Sequence, residues 1–133
     1  MSQITNCRAR EILDSRGEWT IEVILQTSAG TAAVASVPQG KSEGSREAVC
    51  LAAKEAVVVV NQVIAKEIIG RKINDQIGLD QKLIELDGTA NKSSLGANAI
   101  LGVSLVTAKA GARDENIPLW QYLRKIFGRN TAT

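Results

Sequence analysis

The chain has no histidine among its 133 residues, so the commonest general base and metal ligand is missing. Aromatic residues make up only 3%. A core built without them must rely on small and aliphatic side chains, which favours close helix packing over an aromatic-rich sandwich. The two cysteines, Cys7 and Cys50, are too few for a disulfide framework or a zinc site, and read as reduced thiols of a cytoplasmic protein. No apolar run approaches the roughly 18–20 residues that span a bilayer, and "MSQITNCRAREILDSRG" carries no apolar segment of a secretory signal. A membrane role is therefore not expected. Nor is a nucleic-acid role, because the net charge is only +2 and the basic residues are scattered among acids without aromatic interleaving. What remains is ordinary for one soluble globular domain, with 44% hydrophobic and 23% charged residues.

The first third reads as strands. In Trp19–Thr27, Trp19, Ile21, Val23 and Leu25 alternate with Thr20, Glu22, Ile24 and Gln26, a near-perfect period of two broken only by Ile24. Ser28–Gly30 has the chemistry of a tight hairpin, and Thr31–Val37 returns as the partner. Ile4–Leu13 is compatible with a further strand, ended by "DSRG" at Asp14–Gly17. These connections make an antiparallel meander.

Helical spacing follows. The polar pairs Lys54/Glu55 and Asn61/Gln62 are seven residues apart, with Lys66/Glu67 close behind, so the longest helix is predicted to lie within Glu47–Ile69, stopped at Gly70. Val57–Val60 alone would favour a strand. Asn74–Gly88 predicts a shorter helix with Asn74 as its cap. Leu95–Arg113 is apolar nearly all round, and its helix from about Ala97 should be the most buried. Ile117–Phe127 begins a last helix near Pro118. Strands followed by helices make an α+β fold.

Between the two halves lies "VPQGKSEG". Gly40-Lys41-Ser42 copies the end of a phosphate-binding P-loop, G-x-x-x-x-G-K-[ST], but Ala35 stands where the first glycine belongs. Pro38 lacks the N–H that such a nest offers to phosphate, and the preceding strand belongs to a hairpin rather than a βαβ unit. On these grounds a nucleotide site is the least expected of the readings. Gly40 and Gly44 flank Lys41, Ser42 and Glu43, a composition that suits a plain surface loop or a lid over a site. Composition does not choose between them.

"ELDGTANKSSLGANAILGVSLVTAKA" (Glu85–Ala110) resembles the amino-terminal domain of enolase. "LDSRGEWTIEV" is similar to that family's L-D-S-R-G-N-P-T-V-E-V, "VPQGKSEG" falls at its V-P-S-G-A-S-T-G, and "IPLWQYL" at its I-P-L-Y-x-x-L. The likeness runs from about Ile4 to Gly128, and Leu86–Val106 matches without a gap. The resemblance implies a cap of three antiparallel strands followed by helices, covering residues 1–133. It also implies a partner, the α/β barrel that supplies the catalytic lysine and glutamate, the metal carboxylates and the phosphate-binding arginine. Enolase turns 2-phosphoglycerate into phosphoenolpyruvate, a magnesium-dependent lyase step of glycolysis. By the resemblance, Gly40, Lys41, Ser42, Glu43 and Gly44 form the substrate lid and Ser42 is a magnesium ligand. Arg10 and Glu22 fall where the family's charges reach the partner subunit, which implies a homo-oligomer. Without a barrel, the chain alone is expected to be inactive.

The lid departs from the family pattern. Gln39, Lys41 and Glu43 replace its serine, alanine and threonine, Arg46 its histidine, and Glu18-Trp19 its asparagine-proline. The family's R-D-G-D and G-K-G-V segments after the lid are absent, and "REAVCLAAKEAVVVVNQV" runs straight through. Changes gathered at the lid while the packing residues stay also fit a noncatalytic enolase-like binding or scaffolding module.

Overall fold

A computed structural model describes residues 2–37 and 49–128. The strands are β1 (Ile4–Leu13), β2 (Trp19–Thr27) and β3 (Ala32–Val37), in one sheet of order β1-β2-β3. Both pairings are antiparallel, as the sequence predicts. The first connection is tied by Asp14, whose Oδ1 accepts the N–H groups of Arg16 (2.8 Å) and Glu18 (2.9 Å). Those bonds, with the Glu18 N–H foremost, hold the Asp14 carboxyl below its ordinary pKa. In the second connection the N–H of Gly30 donates to the carbonyl of Thr27 at 3.0 Å, with Gly30 at φ +87.

Ile21, Val23 and Leu25 are fully buried, and Ala33, Ala35 and Val37 of β3 lie on the same covered face. Trp19, expected on that face by alternation, is 58% exposed, because it starts the strand beyond the helices that cover the sheet among the described residues. The opposite face carries Arg10, Glu22 and Val34, with Val34 exposed.

Four helical runs follow among the described residues. The first is continuous: α1 (Ala53–Val59), a π-helical turn (Val60–Ile64) and α2 (Ala65–Ile68). Its four-valine stretch is helical because burial outweighs β-propensity, with Ala56, Val60, Ile64 and Ile68 fully buried. A strict four-residue repeat drifts round a 3.6-residue helix. The wider π turn corrects that drift and keeps the stripe on the sheet. Asn61, in this turn, accepts the N–H of Ala9 at 2.8 Å and donates to its carbonyl at 3.2 Å. One side-chain amide thereby replaces a neighbouring strand on the open edge of β1.

This run is not the longest helix. α4 (Ala97–Asp114) is, with 18 residues, because Val49–Ala52 is non-helical and bonds elsewhere. α4 is also the most buried, as expected, and its glycines explain how. A Cβ on Gly102 would lie 2.8 Å from Val23 Cγ2 and 3.1 Å from Val37 Cγ2, so the helix backbone rests directly on the sheet. α3 (Gln76–Asp87) is capped by Asp75, whose side chain accepts the N–H of Gly78, rather than by Asn74. Asn74 and Asp75 suit a cap equally by type, and the geometry selects Asp75. Gly88 ends α3 in the left-handed conformation, as predicted. α5 (Leu119–Phe127) starts after Pro118 and buries Tyr122 against Gly111 of α4. Burial and the charges of Glu115 and Asp114 push the Tyr122 phenol up to about 12. No helix among the described residues is long and apolar enough to cross a membrane.

Candidate functional site: two anchored stems

The five lid candidates, Gly40, Lys41, Ser42, Glu43 and Gly44, lie outside the described residues. Their flanks do not. On one side β3 ends at Val37, paired with Ile21, and the Val37 carbonyl accepts the Thr20 hydroxyl. The strand entering the segment is thus the edge of an antiparallel sheet, and not the parallel strand that a P-loop leaves.

On the other side the chain is held by the residues just before and within the start of α4. The Val49 N–H donates to the carbonyl of Asn91 at 2.7 Å, and the Val49 carbonyl accepts the Ala97 N–H at 2.7 Å. Two residues on, the buried Asn98 side chain accepts the Leu51 N–H at 3.1 Å and donates to its carbonyl at 2.9 Å. Gly96, at φ +94, sits close under Leu51: a Cβ there would lie 2.7 Å from Leu51 Cγ.

The connection between α3 and α4 that offers these groups is itself fixed by Asp87. Its Oδ1 accepts the Leu95 N–H at 2.7 Å, and its Oδ2 accepts the N–H (2.9 Å) and hydroxyl of Thr89. Burial opposes the charged form of Asp87, but these donors and the Ser94 N–H outweigh it and hold the carboxyl below its ordinary pKa. Asp87, Asn91 and Asn98 thus support the chain where it is described again, at Val49–Leu51. Periodicity does not single them out. Their only signal in the sequence is a set of polar residues at the mouth of an otherwise apolar helix.

The other candidates fall elsewhere. Arg10 and Glu22 face each other across β1 and β2, with Arg10 Nη2 2.7 Å from Glu22 Oε1. They lie on the face opposite Ile21 and Val23, with the Arg10 side chain largely exposed, and a solvent-exposed pair of this kind contributes about 0–1 kcal/mol. Cys7 is buried, and burial pushes its thiol up to about 12, so it is inert as a nucleophile at neutral pH. Neither cysteine forms a disulfide. Among the described residues, no group of three or more Cys, Asp or Glu could hold a metal ion. A comparison with protein families completes this picture: the family described as "Enolase, N-terminal domain" matches residues 4–123.

Proposed function

The chain belongs to the enolase N-terminal domain family, and we propose that it serves as the cap of an enolase-type site, working beside a barrel that these residues do not include. The observation that carries this reading is the family match over residues 4–123, which takes in the sheet, the helices as far as the start of α5, and both flanks of the segment 38–48. In this role the framework presents the segment 38–48 from two fixed points. Dehydration of 2-phosphoglycerate requires a base to remove a proton next to a carboxylate, and charge stabilisation of the resulting carbanion. The barrel would supply both. The cap would contribute exclusion of water and, through the Ser42 oxygen, one ligand to magnesium already held by carboxylates of the barrel. Lys41 and Glu43 weaken this contribution, since a closing lid must desolvate two charges or pair them.

Those two charges also support a second reading, a noncatalytic enolase-like scaffold in which the loop binds without chemistry. In either role Arg10 and Glu22 would exchange their mutual pair for contacts with a second subunit, and glycolysis and the cytoplasm would be the setting. The isolated chain should self-associate through uncovered apolar surface such as Trp19, Val34 and Trp120, all exposed. A clean monomer in sedimentation at high concentration would count against that.

The deciding experiment measures phosphoenolpyruvate formation by the purified chain alone, by a separately produced enolase barrel alone, and by the mixture with magnesium. The cap reading expects turnover from the mixture, less with Ser42→Ala, and none from the chain. Association without any gain in turnover supports the scaffold. Turnover by the chain alone refutes both.

A further inference from the structure

A groove of about 300 Å³ lies between α3 and α4, lined by Asp80, Ile84, Lys92, Ala97, Ile100, Leu101 and Ser104. Its axis follows from the antiparallel run of the two helices. Lys92 and Ala97 lie at the end near the α3–α4 connection. Ile84, Ile100 and Leu101 form the middle. Asp80 and Ser104, bonded to each other at 2.7 Å, close the far end. From Ala97 to Ser104 the helix rises about 10 Å.

The chemistry of the three parts differs. The middle is apolar and open, with Ile84 45% and Leu101 52% exposed. The far end carries a carboxylate. The near end is lined by Lys92, which has no ion-pair partner among the described residues. Lys92 sits at φ +63, in the left-handed region that glycine or asparagine fills at less cost. A concave, mostly apolar site with a few polar groups at its ends has the general form of a small-molecule site.

We propose that this groove binds a medium-chain aliphatic carboxylate. The carboxylate pairs with the Lys92 ammonium, and the chain lies over Ile84, Ile100 and Leu101. The Asp80 carboxylate repels the reverse orientation. A chain of about eight carbons matches the roughly 10 Å that α4 rises from Ala97 to Ser104. This site does not depend on the cap reading and involves none of the lid residues.

The probe is octanoate, kept below its micellar range, added to the whole chain with methyl-labelled isoleucine, leucine and valine. Saturable shifts at Ile84, Ile100 and Leu101, with Ile21 in the core unmoved, are expected. Octanol has the same chain without the charge and should bind at least about ten-fold more weakly, as should octanoate to Lys92→Met. Lys92→Arg should retain binding, and Leu101→Glu, at an exposed position that leaves the core intact, should abolish it. Absence of saturation at these methyls overturns the proposal. So does equal affinity for octanol, or unchanged affinity in Lys92→Met or Leu101→Glu.

Discussion

Asp87→Asn should be among the most damaging isosteric changes in this domain. Asp87 is 4% exposed, and among the described residues its carboxylate is met by donors: the Leu95 N–H at 2.7 Å, the Thr89 N–H at 2.9 Å, the Thr89 hydroxyl and the Ser94 N–H. The substitution turns one oxygen into an NH2 group that confronts an N–H or a hydroxyl, and it weakens the remaining bond by removing the charge. With each hydrogen bond to a charged group contributing about 1.5–3 kcal/mol, losing one and weakening another should cost about 2–4 kcal/mol. Urea denaturation at neutral pH reads this directly. The pH dependence is the sharper test. The carboxyl lies lower in the folded state than in the unfolded chain, so its stabilisation is complete above the unfolded pKa of about 3.9. It is lost as pH falls through the folded value. The gap in stability between wild type and Asp87→Asn should therefore be constant from neutrality down to about pH 5 and shrink on further acidification. A gap under about 0.5 kcal/mol at pH 7, or one that persists undiminished at the acid limit, would refute the reasoning.

Asn61→Ala strips both partners from the Ala9 peptide groups at the sheet edge, so about 1–3 kcal/mol should be lost and the Ala9 amide should exchange faster with deuterium. Asn98→Ala should cost a similar amount, about 1–3 kcal/mol, and speed exchange at Leu51 while leaving the Ala9 amide protected. Gly102→Ala forces a methyl to within 2.8 Å of Val23 Cγ2 and should lower stability by about 1–3 kcal/mol in thermal or chemical unfolding.

The strand half of the fold was legible because its signals are local. Alternation in Trp19–Thr27 and the chemistry of the turns at Asp14–Gly17 and Ser28–Gly30 specify the meander without help from distant residues. The buried α4 was legible for the same reason, as its composition leaves no polar face. The errors came where a long-range partner decides. Val49–Ala52 has nothing in its own sequence against continuing the helix. It stays out because Asn91, Ala97 and Asn98 take its backbone groups. Trp19 obeys the alternation and is still exposed, because the pattern cannot show where the covering helices end. The supports of the second stem could not be picked out either, since hydrogen bonds such as Asn98 to Leu51 join residues far apart in sequence. The lid residues themselves were singled out by resemblance, and they lie outside the described residues.

The π-helical turn makes the helical run from Ala53 to Ile68 intolerant of a change in length. Removing one residue there would relax it to an ordinary α-helix and rotate everything beyond by about 100°. Ile68, fully buried, would swing off the sheet. The displacement would not stop at the helix. Just past it, the Gly70 N–H donates to the Ile4 carbonyl, the Ile4 N–H to the Arg71 carbonyl and the Ile73 N–H to the Ser2 carbonyl. The beginning of the chain is therefore fastened to whatever this helix delivers. Insertions and deletions between Val60 and Ile64 should be selected against more strongly than most substitutions of the same residues, because a side chain can be replaced in place whereas a lost residue shifts the attachment of the N-terminal strand.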